Sequence, residues 1–204
     1  MKTRVISMLL ALLFLVMSAC QPKVSQYDEM MKAKLANFEE FTLTTDLSWL
    51  SDSEREILSI LIDAAAIMDD IFWMQAYGDK EELLNSIESE YARRYAMIHY
   101  GPWDRLNDNE PFIEGVGPKP PMARFYPEDM TVEEFEAWDS PDKTSLYTLV
   151  VRDAAGKLVT VPYSEAYKAE HEKAAELMRK AAGLAEDEGL KNYLTMRAEA
   201  LLTN

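Results

Sequence analysis

The sequence predicts an α+β fold, mainly α: helical hairpins around a long ordered loop rich in glycine, proline and aromatic residues, with one β-hairpin. Three observations predict it. Apolar residues recur at three-and-four spacing over several long stretches, which is the period of a helix buried on one face. One pair of β-branched runs flanks Asp153-Ala154-Ala155-Gly156, a turn with glycine at the left-handed position. Between them, Ile98 to Met130 holds six of the nine prolines and three of the seven glycines. Proline fixes φ and removes an amide donor, so this stretch is neither a long helix nor a central strand. Tyr100, Trp103, Phe112, Ile113, Phe125 and Tyr126 fall inside it. Flexible linkers are poor in such groups, so the stretch reads as an ordered loop pressed onto a helical body.

Taken in order, residues 1–19 read as a signal peptide: Lys2 and Arg4, an apolar run from Val5 to Val16, then Met17-Ser18-Ala19 before Cys20. The ending resembles a bacterial lipoprotein box, with Met17 where leucine is commoner. Cys20 is the only cysteine, and it stands where acylation needs it. Lipidation at Cys20 and a lipid-anchored place in the cell envelope are therefore expected; an ordinary signal peptide with an incidental cysteine is the alternative. One cysteine leaves no intramolecular disulfide and no thiolate zinc site. A net charge of −15 argues against nucleic acid as partner.

Residues 20–40 read as the lipidated cysteine and a tether passing into a short helix, with Met30, Met31, Leu35 and Phe38 as its docking face. Residues 41–204 read as one lobe. Phe41 to Thr45 is extended by propensity. Ser51-Asp52-Ser53-Glu54 is a capping box. The helix it starts carries Ile57, Leu58, Leu61, Ile62, Ala65, Met68 and Phe72, and stops at Gly78. Asp79 with Glu82 caps a second helix, whose stripe is Leu84, Ile87, Tyr91, Tyr95 and Ile98 and which Gly101-Pro102 ends. The tight turn between the two predicts an antiparallel hairpin. Thr131 to Glu134 is another capping box, opening a short helix to Trp138. Strands over Leu146–Arg152 and Lys157–Val161 follow. Ser164 is expected to cap a helix to Ala185 with Tyr167, Ala174, Leu177, Met178 and Ala181 inward. The last helix, Leu190 to Leu202, ends without a cap and is expected to leave an apolar face uncovered around Leu194, Leu201 and Leu202.

Few residues offer chemistry. His99 ends the helix entering the loop, either as a cap that suits the negative helix terminus or as a site residue, the cap being favoured. His171-Glu172 begins like a zinc helix motif but lacks the second histidine one turn on, so His171 reads as a helix-face residue and no metal site is expected. Asp69 and Asp70 interrupt an apolar helix; pairing with Arg93 or Arg94 is favoured over a place in a site. In the loop, Tyr100, Trp103, Asp104, Arg105, Phe112 and Glu114 combine aromatic surface with both signs of charge. That set suits recognition of a zwitterionic peptide, and suits equally a loop that pins itself down by Asp–Arg pairing.

YGPWDRLNDNEPFIEGVGPKPP followed by FYPEDMT, with DDIFWMQAYGDKEELL before it and SLYTLVVRDAAGKLVTVPYSEAY after it, resembles the N-terminal part of dipeptidyl peptidase III-like zinc peptidases, in the bacterial branch often labelled a zinc-dependent hydrolase. The resemblance covers roughly Phe41 to Asn204. It implies a two-lobed enzyme that releases dipeptides from peptide N-termini, with zinc as cofactor. The family's His-Glu-x-x-Gly-His hexapeptide and its downstream glutamate ligand do not occur here. The resemblance therefore implies a lobe without metal or catalytic residues, forming part of the cleft wall, with peptides and a missing C-terminal catalytic lobe as partners. The alternative is a non-catalytic envelope lipoprotein acting as a peptide-binding or interaction module.

Overall fold

The computed structural model describes residues 26–203; Cys20 and the signal peptide expected over residues 1–19 lie outside them. The fold is α+β and mainly helical, with eight helices and two small antiparallel sheets among the described residues. The chain divides into two compact units, Met1–Glu39 and Glu40–Asn204. The described part of the first is α1 (Gln26–Leu35) and the residues after it. Of its expected docking residues Met31 is buried, Leu35 and Phe38 are half-buried, and Met30 is exposed.

In the second unit, 41–47 joins no helix or sheet, and Phe41 and Leu43 stand in solvent. α2 (Asp52–Ala76) begins with both halves of the predicted capping box: Ser51 accepts from the Glu54 amide and Glu54 accepts from the Ser51 amide. It ends at Tyr77, and Gly78 follows at φ 128°, which only glycine adopts without strain. α2 is apolar on more than one face, and the face that packs overlaps the predicted stripe only in part, through Ile57 and Leu61. Ile57, Ile60, Ala64, Ile71 and Trp73 are buried, whereas Leu58, Ile62 and Phe72 are 36%, 61% and 41% exposed.

The predicted second helix is broken. α3 (Lys80–Ser86), capped by Asp79, gives way at Ile87, and Ser89 caps a separate α4 (Glu90–His99) by accepting from the Ala92 amide. The expected antiparallel hairpin fails with it. Tyr100, at the end of α4, meets Phe72 and Trp73, near the end of α2. An antiparallel partner would bring its beginning there. Tyr100 takes the left-handed conformation (φ 54°) and turns the chain into the loop.

The loop contains a two-residue ladder, β1 (Trp103–Asp104) with β2 (Glu110–Pro111), closed through Asp108 and Asn109 at positive φ. Short-side-chain amides and acids tolerate that region best. It is stitched to the body by backbone. The Arg124 amide donates to the Gln75 carbonyl at 3.0 Å and the Val150 amide to the Phe125 carbonyl at 3.0 Å.

α5 (Val132–Ala137) keeps half of its capping box: Thr131 accepts from the Glu134 amide. The Glu134 carboxylate turns instead to Arg152, which also holds Asp129, in a bidentate arrangement at 2.8 Å. β3 (Thr148–Arg152) and β4 (Leu158–Pro162) form the predicted hairpin, with Gly156 at φ 76°. Ser164 is not a cap. It lies inside a short helix, α6 (Tyr163–Ala166), and the chain bends at Tyr167 before α7 (Lys168–Leu184). α8 (Glu188–Thr203) starts earlier than expected, with Asp187 accepting from the Leu190 amide at 2.7 Å. α7 and α8 are the helical hairpin, and α2 packs on α7 as its third member. Their shared core is Ile57, Ile60, Ala181, Ala182 and Leu194. Leu194 is thus buried rather than uncovered, and Leu201 and Leu202 are half-buried; the apolar exposure on α8 falls on Tyr193 and Met196. Among the described residues no helix is long and apolar enough to cross a membrane.

Candidate functional site

The sharp turn at Tyr100 and Gly101, followed by the β1–β2 ladder, aims three of the six loop residues at one cavity. Tyr100, Trp103 and Arg105 line it with Phe72 and Gln75 of α2, His99 of α4, and Lys119 and Phe125 from farther along the loop; its volume is about 150 Å³. Tyr100 donates its hydroxyl to the Asp69 carboxylate, and Trp103 donates its indole N–H to the Gly117 carbonyl at 3.0 Å. Both rings are held by these bonds and by their neighbours Trp73 and Tyr77.

The other three sit elsewhere. Asp104 is 3% exposed, accepts from the Leu106 amide at 3.1 Å, and takes the Tyr95 hydroxyl proton as a hydrogen bond. Its own carbonyl accepts from Asn107 and Asn109. It pins the loop, but through Tyr95 and backbone rather than through Arg105. Phe112 is buried edge-on against Tyr95. Glu114 is exposed and is not part of the cavity lining.

His99 is buried and accepts the Arg105 amide on Nδ1 at 3.0 Å, with its Nε2 3.9 Å from Asp104. It therefore serves the loop that follows α4 rather than the carbonyls at the helix end. His171 is buried on the inner face of α7. Burial lowers its pKa, which the Leu201 carbonyl and Glu170 oppose. Asp69 and Asp70 do not meet Arg93 or Arg94, because the break after α3 carries those arginines away. Asp69 takes Tyr100 and Asp70 takes Lys80 at 3.4 Å, while Arg93 donates to the Leu84 and Ile87 carbonyls and Arg94 pairs with Glu40.

The charge in the cavity is cationic. Burial lowers the Lys119 pKa, and the nearby Arg105 guanidinium adds to the effect. The Tyr100 phenol is raised, first by its bond to Asp69 and then by burial and the Asp69 charge, with Arg105 opposing. Lys119 was not singled out from sequence, and Phe72 was read only as part of the apolar stripe of its helix, not as a site residue. Lys119 stands between Pro118 and Pro120, and nothing in that spacing says that it returns to Arg105. A larger concavity of about 530 Å³ lies between α2, the start of α3 and α7, lined by Asp70, Trp73, Lys80, Glu170 and Lys173 among others. Its acids and lysines interleave, and it holds none of the loop aromatics.

Among the described residues no group of three or more His, Cys, Asp or Glu is arranged to hold a metal ion. The zinc that the resemblance implies does not fit them: the two imidazoles are buried in separate places, each within its own packing.

This fold is that of about a third of the chain in the dipeptidyl peptidase III structures, and the resemblance read from the loop to a portion of that family holds. The chain superposes on dipeptidyl peptidase III from Caldithrix abyssi with TM-score 0.80 and 41% identity, over 85% of this chain and 35% of that one. It superposes on dipeptidyl-peptidase III from Corallococcus sp. strain EGB with TM-score 0.79 and 34% identity, over 87% and 35%. In sequence it is similar to Nudix hydrolase 3 of Arabidopsis thaliana, 26% identical over 91% of this chain and 32% of that protein. No family model matches the chain. The chain spans about a third of the length of each of these relatives.

Proposed function

We propose that residues 41–204 form the non-metal lobe of a dipeptidyl peptidase III-like peptidase. The lobe supplies one wall of a cleft in which peptides lose dipeptides from their N-termini. The hydrolytic zinc is held by another part of the polypeptide, and peptides and that catalytic part are the lobe's partners. The observation that carries this reading is the 41% identity and TM-score of 0.80 to a dipeptidyl peptidase III over a third of its length. The described residues contribute an aromatic, cationic cavity and no metal cluster, which suits a wall rather than a hydrolytic centre. The similarity to a Nudix hydrolase weighs less, at lower identity and over a third of that protein. The proposal extends to the leader: residues 1–19 removed, Cys20 lipidated, residues 20–40 a tether, and the chain anchored at the cell envelope.

Incubating the purified 204-residue chain with zinc and a dipeptidyl-naphthylamide tests the division of labour. No turnover is expected; zinc-dependent turnover by this chain alone would overturn it.

A further inference from the structure

The geometry points to the cavity between α2, α4 and the loop as a binding site for a peptide carboxylate, gripped by Arg105 and Lys119 between the rings of Tyr100 and Trp103. The inference rests on the peptide-cleft reading above and names which end of the peptide this wall takes.

Two cations converge here without a counter-ion among the described residues. Arg55, Arg94, Arg124, Arg152 and Arg179 each pair with a carboxylate. The Arg105 guanidinium makes no hydrogen bond or ion pair among the described residues; only its backbone amide is engaged, by His99. Lys119 reaches a neutral acceptor, Asn109 Oδ1, at 3.3 Å. In a chain of net charge −15, carboxylates are abundant, yet none among the described residues closes on this pair. Like charges held together in a partly dry cavity repel, and an anion between them relieves both. Asp69, beside the Tyr100 ring, is occupied by the Tyr100 hydroxyl, and Asp108 and Glu110, which share a second concavity with Lys119, do not line this one.

Shape narrows the anion. About 150 Å³ holds roughly five waters, at about 30 Å³ each. That is room for a carboxylate and a short stem. A planar carboxylate matches the guanidinium fork, and its stem can lie between Tyr100 and Trp103. A peptide N-terminus is excluded, because an ammonium would be a third cation. Two sources share the chemistry, the C-terminal carboxylate of a short peptide and an acidic side chain.

Calorimetric titration of the 204-residue chain separates them. The probes are Ala-Ala-Ala against its C-terminal amide, and acetyl-Ala-Glu-Ala-amide against its glutamine counterpart. At least one acid is expected to bind about tenfold more tightly than its neutral partner, as hydrogen bonds to a charged group suggest. The pair showing the preference identifies the source. Arg105→Gln should abolish the preference, and Lys119→Met should reduce it. The Arg105 side chain has no partner to lose among the described residues, so its variant should fold, as circular dichroism will check. If acids and neutral partners bind alike, or the Arg105→Gln, Lys119→Met double variant keeps the preference, the carboxylate assignment falls while the peptide-cleft reading stands. If no peptide binds, both fall. If inorganic phosphate binds as tightly as the better peptide acid, the site is a general anion site and the peptide assignment is overturned.

Discussion

Replacing Asp104 with alanine asks whether this carboxylate holds the loop or waits for a ligand. Asp104 is 3% exposed and accepts from the Leu106 amide and from the hydroxyl of Tyr95, which is itself 1% exposed. Hydrogen bonds to a charged group contribute about 1.5–3 kcal/mol each, and a buried donor left unpaired costs about 1–3 kcal/mol. Alanine strands both donors, while removing the carboxylate also removes its own desolvation penalty. The net expected loss is about 2–4 kcal/mol, or roughly 5–15 °C in melting temperature for a unit of this size. A thermal melt and a urea titration measure it. A cycle with Tyr95→Phe should show coupling of about 1 kcal/mol or more, since the two groups share one bond. The phenol gives a second readout. The Tyr95 pKa is pushed up to about 12, first by burial, then by the bond to Asp104 and its charge. In the Asp104→Ala variant it should fall, yet stay above the ordinary value because burial remains. An unchanged melting temperature with additive single effects would refute the scaffold role and return Asp104 to the candidate ligand contacts.

Two further outcomes follow from particular side chains. Burial depresses the His171 pKa in the folded chain, so the unfolded chain binds its proton more readily. The stability this neutral imidazole allows is therefore present above the unfolded value, near 6.5, and is lost as pH falls through 6.5 toward the lower folded value. Melting curves from pH 8 to pH 5 should drop more steeply for the wild type than for His171→Gln; parallel curves would dismiss this contribution. If Cys20 is lipidated as proposed, changing it to serine should move the protein from the membrane fraction to the soluble one, and unchanged partitioning would refute lipidation.

What the sequence made legible was local. Ser51, Asp79 and Thr131 cap helices where they were expected to, because a cap needs only its own first turn. Gly78 and Gly156 take the positive φ that their turns require. The errors arose where distant residues decide. α2 carries apolar residues on two faces, and which one packs depends on Ala181, Ala182 and Leu194, more than a hundred residues away. The break at Ile87 hides in a run that keeps helical spacing, and Ser89 betrays it only as one more serine before an acid. Asp69 and Asp70 found partners in Tyr100 and Lys80 once that break moved Arg93 and Arg94. Three residues of the candidate cavity were readable as site candidates from the loop sequence: Tyr100, Trp103 and Arg105 stand within six positions of one another. Lys119 and Phe72 were not, because the loop's fold-back and the end of α2 bring them in.

The most direct measurement is a transplant. The segment of Caldithrix abyssi dipeptidyl peptidase III that this chain matches would be replaced by residues 41–204, and hydrolysis of a dipeptidyl-naphthylamide followed. If these residues form the peptidase's non-metal wall, the chimera should retain kcat/KM within about tenfold, a change of about 1.4 kcal/mol in transition-state stabilisation. A folded, monodisperse chimera with no more activity than one lacking the segment would contradict the account.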